Sequence, residues 1–564
     1  MKKIFFIFIV SVFLAGCNTS EPATVDYSEG NVDGVLASSP FEKGVNFSGW
    51  FESFSASSIP FTKYVEQDFV NVKSLGADVI RLPIRMHSMT GGQPDYTLDP
   101  LLLKFLDMAV DWAEKYGLYI IIDNHSFDPV KNTEDDIDKI LIPVWEQVAQ
   151  RYKNRSDYVI YEILNEPHGI SDARWGEVQG LAINAIRKHD TKHYIIVGGT
   201  DYNSLGKMSA LPEYSDTKLI YTFHFYDPYL FTHQGAGWGG PPVLSSLAGV
   251  PFPYNSKRMP KIPAELKGTW VEGSLNYSYS KDADPNTLYN TLNKAVSFSK
   301  ERNVPIFCGE FGVYMINSLK EDRVRWYQIV SKALAKRRIS RTSWDYYGGF
   351  GIFNSEGRGD FFADLNTDVV RALGFTPPPQ KPYQYEPFKT GFTIYDDYPN
   401  RDFTCGYWDE STDFSLYDTN AAKGDFSIRW GNASQYNTFY FVFERGGNLS
   451  EVANNGILEF QARTEGKAKF DIRFVNPESP SSIPWRMRYT IDDTLLVPDG
   501  KWHTIRIPLN SMEDLGAWIN STQEWIPSQN KFSWNNIKQL DFVAEHGDMK
   551  GVYVWFDDIK LVVP

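Results

Sequence analysis

The strongest constraint on this chain is an alternation that recurs eight times between residues 41 and 375. Short apolar runs suited to strands fall at 44–47, 78–82, 118–123, 158–163, 194–197, 219–223, 305–308 and 341–344. Amphipathic stretches of helical period lie between or after them, near 62–75, 99–116, 137–152, 173–189, 286–302, 320–337 and 368–373. In the second of these, Leu102, Leu106, Ala109, Val110 and Ala113 recur at helical spacing and Gly117 closes the segment. Strand-then-helix repeats predict a parallel sheet, and a count of eight favours its closure into a (β/α)8 TIM barrel. No G-x-G-x-x-G follows the first strand, which removes the main reason to prefer an open dinucleotide-binding sheet. The connection from Asp227 to about Pro285 is too long for an ordinary βα loop, so it is expected to wall a substrate groove. Trp238 and Trp270 in that connection, and Trp50 earlier, are either flat platforms for a ligand or plain packing.

Beyond the barrel the pattern changes. Thr376-Pro377-Pro378-Pro379-Gln380, with Pro382 and Pro387, reads as a stiff, extended linker over 376–388. From 389 to 564 apolar residues alternate with period two, as at 458–462, 469–474, 504–507 and 552–556, which predicts an all-β sandwich of jelly-roll type. At the other end, Met1-Lys2-Lys3 precedes an apolar run from Ile4 to Leu14, too short to span a bilayer, and the run closes on Leu14-Ala15-Gly16-Cys17. Residues 1–16 read as a signal peptide and 17–40, poor in large apolar groups, as a flexible tether. The ending resembles a bacterial lipobox, which implies a diacylglyceryl group on Cys17 and an exported lipoprotein at the cell surface or periplasmic face. Cys308 and Cys405 fall in different predicted domains, so no disulfide framework is expected. The net charge of −14 argues against nucleic acid or anionic lipid as the main partner and suits a neutral polymer. A monomer is expected.

In a TIM barrel the active site forms where strands end at the C-terminal face. The polar residues following the apolar runs are Arg81 and Arg85; Asp123, Asn124 and His125; Asn165 and Glu166; His224 and Tyr226; Glu310; and Trp344 with Asp345. A barrel built for stability alone has no need of ionisable groups at so many strand ends. Glu166 and Glu310 end strands four and seven, on facing sides of the mouth. Glycoside hydrolysis with retention needs two such carboxyl groups about 5–5.5 Å apart, one protonated and one ionised. Arg81 and Tyr226 could keep one charged, burial would raise the other, Asn165 could donate to a sugar 2-hydroxyl, and Pro167 is expected to hold Glu166 extended. Blander readings stand beside these: Arg81 as a structural ion-pair partner, His125 and His224 as core imidazoles, Trp344 as packing. Cys308, next to the strand-seven end, reads as an inert buried thiol. Neither a G-x-S-x-G elbow nor H-E-x-x-H is present, so serine and zinc hydrolysis lack support.

Ile163-Leu164-Asn165-Glu166-Pro167 and Gly309-Glu310-Phe311-Gly312, with Ile80-Arg81-Leu82-Pro83, Ile122-Asp123-Asn124-His125, His224-Phe225-Tyr226 and Trp344, resemble glycoside hydrolase family 5 over 41–375. The resemblance implies Glu166 as acid/base, Glu310 as nucleophile, Tyr226 as the phenol bonded to it, and Arg81, His125, Asn165, His224 and Trp344 as supporting or substrate-binding residues. Asn124 departs from the family, where many relatives carry an aromatic or aliphatic residue. The implied reaction is endo-hydrolysis of a β-1,4-glucan without a cofactor. Mannan, xyloglucan or mixed-linkage glucan are alternatives, and a surface glycan-binding lipoprotein is the non-enzymatic one. Residues 500–509 and the closing Trp555-Phe556-Asp557-Asp558-Ile559 resemble jelly-roll carbohydrate-binding modules, which implies a structural calcium at Asp396 and Asp557.

Overall fold

The computed structural model describes residues 29–564 apart from 240, 409–412 and 480. The predicted signal peptide and Cys17 lie outside the described residues. Eight parallel strands close into a barrel in sequence order: β1 (Lys43–Asn46), β2 (Val79–Ile84), β3 (Tyr119–Asn124), β4 (Val159–Glu162), β5 (Tyr194–Gly198), β6 (Leu219–Phe225), β7 (Ile306–Phe311) and β8 (Ser340–Ser343). The long helices are Glu66–Ser74, Pro100–Lys115, Asp138–Tyr152, Asp172–Arg187, Pro285–Arg302 and Lys320–Lys336. Pro100–Lys115 buries the predicted stripe of Leu102, Leu106, Ala109, Val110 and Ala113, capped by Asp99 accepting from Leu101 N–H at 2.8 Å. The fifth unit is irregular. After β5 the chain makes a short turn at Thr200–Asn203 and a 3-10 segment at Leu205–Ala210 where its neighbours carry long helices.

The N-terminal end of the barrel is plugged. Phe41 packs with Val79, Ile121, Ile160, Ile196, Ile220 and Phe307, its ring meeting Phe307 edge-on at 5.2 Å. Below this plug lies a correction to the sequence reading, because residues 29–40 do not behave as a free tether. Val35 is fully buried and its N–H donates to Arg337 O at 2.9 Å, the fully buried Arg337 pairs with Glu29, and Ser340 Oγ lies 2.9 Å from Ser39 Oγ. The predicted tether offers only scattered apolar residues, Val25, Tyr27, Val32, Val35 and Leu36, so composition could not reveal a strap held by a backbone bond and the guanidinium groups of Arg337 and Arg338.

Residues from 392 onward form two seven-stranded antiparallel sheets face to face. In Ile457–Thr464 burial alternates strictly, with Leu458, Phe460, Ala462 and Thr464 inward. Phe439 and Phe542, partners on neighbouring strands of one sheet, stack at 4.5 Å on its inner face, and Phe460 and Phe556 of the other sheet pack against them. This sandwich rests directly on the barrel. Tyr417 and Phe426 belong to the barrel's own apolar cluster, Tyr417 meets Phe105 edge-on at 5.0 Å, and Tyr417 Oη donates to Ile59 O at 2.7 Å. Arg401 reaches the buried Asp68 and the Tyr347 hydroxyl, each at 3.0 Å. The Pro-rich segment is also tied down, with Thr376 N–H on Leu75 O and Lys381 N–H on Phe362 O. Cys308 is buried in β7, and Cys405 lies on the sandwich strand Phe403–Trp408; neither forms a disulfide. Among the described residues no helix is long and apolar enough to cross a membrane.

Candidate active site

The C-terminal ends of the strands converge on one guanidinium. Arg81, in β2, is fully buried and donates from Nε to Glu162 at 2.7 Å and from Nη2 to Glu162 at 3.0 Å and Asn165 Oδ1 at 2.8 Å. Its Nη1 donates to Asn46 Oδ1 at 3.0 Å and to Glu310 Oε1 at 2.9 Å, and Nη2 lies 3.0 Å from Asp123. One planar cation thus fixes carboxylates from β3, β4 and β7, a task suited to five donors in a rigid fork. Burial acts against the charged guanidinium, but these three carboxylates outweigh it and hold it well above its ordinary value. Two of its partners, Asn46 and Glu162, are the last residues of β1 and β4 but lie inside the apolar runs 44–47 and 158–163, so a reading of the residues that follow each run passes over them. Glu162 had one visible signal, a lone carboxylate inside an apolar run, which calls for a buried cation. Burial and its carboxylate neighbours push it up to about 7 despite Arg81.

Glu310 is brought into the mouth by an irregularity. The β6–β7 register pairs Phe223 with Cys308 but His224 with Glu310, so Gly309 is an extra residue in β7. A Cβ on Gly309 would come within 2.9 Å of Thr222 Oγ1 and 3.1 Å of His224 Nε2, which is why glycine precedes this carboxylate. Tyr226 Oη donates to Glu310 Oε2 at 2.8 Å, so both oxygens of Glu310 accept a hydrogen bond. Glu166 sits across the mouth, with Oε1 at 2.7 Å from His224 Nδ1, and burial pushes its carboxyl up to about 7. Burial also lowers His224 to about 4, so this imidazole is neutral near pH 7. The ligating atoms of Glu166, His224 and Glu310 all lie within 4.8 Å of one another. A metal does not fit this trio: Arg81 and Tyr226 occupy the oxygens of Glu310, and a fixed cation stands 2.9 Å away.

His125 lies 2.7 Å from Asp123 through Nδ1 and stacks on Trp344 with ring centres 5.6 Å apart. Burial opposes its charge, but Asp123, Glu52 and Glu310 raise it to about 9. The pair forms one wall of the mouth, and Asn165 presents its Nδ2 3.3 Å from His125 Nε2. Asn124 turns aside to His87 Nε2 at 3.0 Å. The structure therefore gathers Arg81, His125, Asn165, Glu166, His224, Tyr226, Glu310 and Trp344 around one cleft. One local expectation fails: Glu166 has φ +47°, outside the extended region that Pro167 was expected to impose. Trp50 is fully buried with Nε1 bonded to Phe61 O and is packing, whereas Trp238 and Trp270 are 47% and 50% exposed on the long connection. Asp396 and Asp557, the two aspartates of the calcium expectation, each have protein partners. Asp557 accepts backbone N–H groups from Ala422, Lys423 and Asp558, while Asp396 faces the Lys423 ammonium at 3.4 Å.

Comparison with known proteins adds two family matches. Residues 41–349 match the model for cellulase (glycosyl hydrolase family 5), and residues 393–562 match carbohydrate binding domain 30. Endoglucanase C of Acetivibrio thermocellus is 28% identical over 337 residues, spanning 56% of this chain and 94% of that protein. Cellodextrinase A of Ruminococcus flavefaciens is 28% identical over 322 residues, spanning 54% and 86%. Among solved structures, Thermotoga maritima Cel5A in complex with mannotriose is 26% identical, with a TM-score of 0.50 over 59% of this chain and 97% of that one.

Proposed function

This chain belongs to glycosyl hydrolase family 5, the cellulases, and from that premise we propose that it is an endo-β-1,4-glucanase acting with retention of configuration. The observation that carries the reading is the spacing of two carboxyl groups. Oxygens of Glu166 and Glu310 lie within 4.8 Å, close to the roughly 5–5.5 Å of double displacement and well below the 6.5–9.5 Å that leaves room for a water in inversion. Glu310, held by Arg81 and Tyr226, attacks the anomeric carbon as Glu166 transfers its proton to the departing glycosidic oxygen. Glu166, now ionised, takes a proton from the water that attacks the glycosyl–Glu310 ester, and both residues return to their starting states. No cofactor enters either step.

The test is a Glu310→Gln variant on a soluble β-1,4-glucan and on an aryl β-cellobioside. Activity should fall by more than about 10³-fold, and the wild type should release the β-anomer first. Unchanged activity or a first-formed α-anomer would overturn the assignment. A mannan-cleaving reading has one observation behind it, the mannotriose complex of the Thermotoga structure; a panel of β-glucan, β-mannan and xyloglucan with product sizing separates them and tests endo action. The sandwich is read as a polymer-binding module, supported by its family match and by the exposed aromatic faces of Trp408, Tyr436 and Trp525. Anchoring through a lipidated Cys17 is a proposal supported by the N-terminal sequence alone.

A further inference from the structure

The irregular fifth unit carries chemistry that the eight strand-end residues do not account for. Asp201, Tyr202 and Asn203 have φ values of +59°, +61° and +55°, three consecutive left-handed residues, none of them glycine. Each such residue is disfavoured, and a run of three persists only where its surroundings over-determine it. The turn wraps the loop that bears Glu166. Asn203 is fully buried and its Oδ1 accepts the backbone N–H of Glu166 at 2.5 Å, Tyr202 N–H reaches Pro167 O at 3.4 Å, and the Tyr202 ring stacks on His168 at 4.1 Å. His168 Nδ1 lies 2.9 Å from Glu166 O, so both backbone polar groups of Glu166 are held from this side.

Two further details show that the fit is specific. The Nδ2 of Asn203 is buried without a hydrogen-bond partner among the described residues, so its amide is held in place for the acceptor oxygen alone. Gly198, the last residue of β5, leaves the space into which that amide inserts, since a Cβ there would lie 1.8 Å from Asn203 Nδ2. Glu166 itself has φ +47°, a conformation that a carboxyl-bearing residue before proline does not adopt unaided. The only polar side chain within hydrogen-bonding distance of its N–H among the described residues is Asn203.

We propose that Asn203, seated in the gap left by Gly198, is the positioning residue that aims the Glu166 carboxyl at the glycosidic oxygen. The inference rests on Glu166 being the acid, so its test must fail separately from that reading. The probe is kcat/KM across aryl β-cellobiosides, because a 2,4-dinitrophenolate departs without a proton whereas phenolate or a sugar alkoxide needs one. Asn203→Leu keeps the bulk and loses the acceptor. It should lose about 10²-fold on the phenyl substrate and on cellotetraose, and less than about threefold on the dinitrophenyl substrate. Asn203→Asp, which keeps an acceptor oxygen, should recover to within about tenfold of wild type on the phenyl substrate. Gly198→Ala, which displaces the amide from the other side, should reproduce the Leu signature and provides a second route if the Leu variant does not fold. A loss uniform across the series, or no recovery with Asp, would overturn the proposal. Glu166→Gln run alongside separates the two claims: a flat leaving-group dependence there sinks the acid assignment itself, and a steep one with uniform Asn203 variants sinks only this inference.

Discussion

Arg401 is the sharpest probe of how the sandwich and the barrel depend on each other. It projects from the sandwich to Asp68, whose side chain is 0% exposed, while Arg401 is 23% exposed. In Arg401→Met, Asp68 keeps Tyr347 Oη at 2.9 Å and Val65 N–H at 2.9 Å but loses its cation. Removing one partner of a fully buried pair costs about 3–5 kcal/mol, and the partial exposure of Arg401 reduces this to about 2–3. With an unfolding entropy near 2.1 cal/mol/K per residue, a cooperative unit of about 330 barrel residues would lose about 3–4 °C in Tm. Calorimetry on the full chain checks the single change, and a double-mutant cycle with Asp68→Asn isolates the pair. The cycle should return a coupling of about 2 kcal/mol, largely preserved in about 0.5 M salt because the site is sheltered from counterions. Additive effects, or a Tm shift below about 1 °C, would mean that the two domains do not lean on each other as described.

Three other outcomes are expected. With Glu166 raised to about 7 and active when protonated, kcat/KM on a cellodextrin should fall as pH rises through about 7. An unshifted carboxyl near 4.3 would be only about 2% protonated at pH 6, so a limb centred below pH 6 would contradict the burial argument. The limb should vanish in Glu166→Gln acting on the dinitrophenyl substrate. Arg81→Lys replaces a fork by a point charge that cannot serve Asn46, Asp123, Glu162, Asn165 and Glu310 together, and should lower kcat by about 10²-fold or more while destabilising the barrel; near-normal kinetics would show that the network is dispensable. Cys17→Ser should move the protein from the membrane to the soluble fraction, and continued membrane fractionation would argue against lipidation.

The parts of this molecule that could be read from its sequence share one property: they are set by local pattern. The eight strands announce themselves because an apolar run bounded by a glycine or a helix has few other fates, and every strand predicted from a run overlaps one of β1 to β8. Arg81, His125, Glu166 and Glu310 were legible because barrel topology turns a strand end into a position. What stayed hidden is relational. Glu162 matters through a guanidinium 81 residues away and Asn203 through an N–H 37 residues back, separations that no window detects. The conformation of Glu166 defeated the proline rule because tertiary contacts on both its backbone groups outweigh a local preference.

The strap of residues 29–40 has a directional consequence. It joins the barrel at the ends where strands begin, beside Arg337 and Ser340, whereas Glu166 and Glu310 open at the opposite pole. Cys17 precedes Glu29 by 12 residues, which extend at most about 3.6 Å each and so reach about 40 Å. A lipid on Cys17 would therefore join the barrel at the pole opposite the cleft.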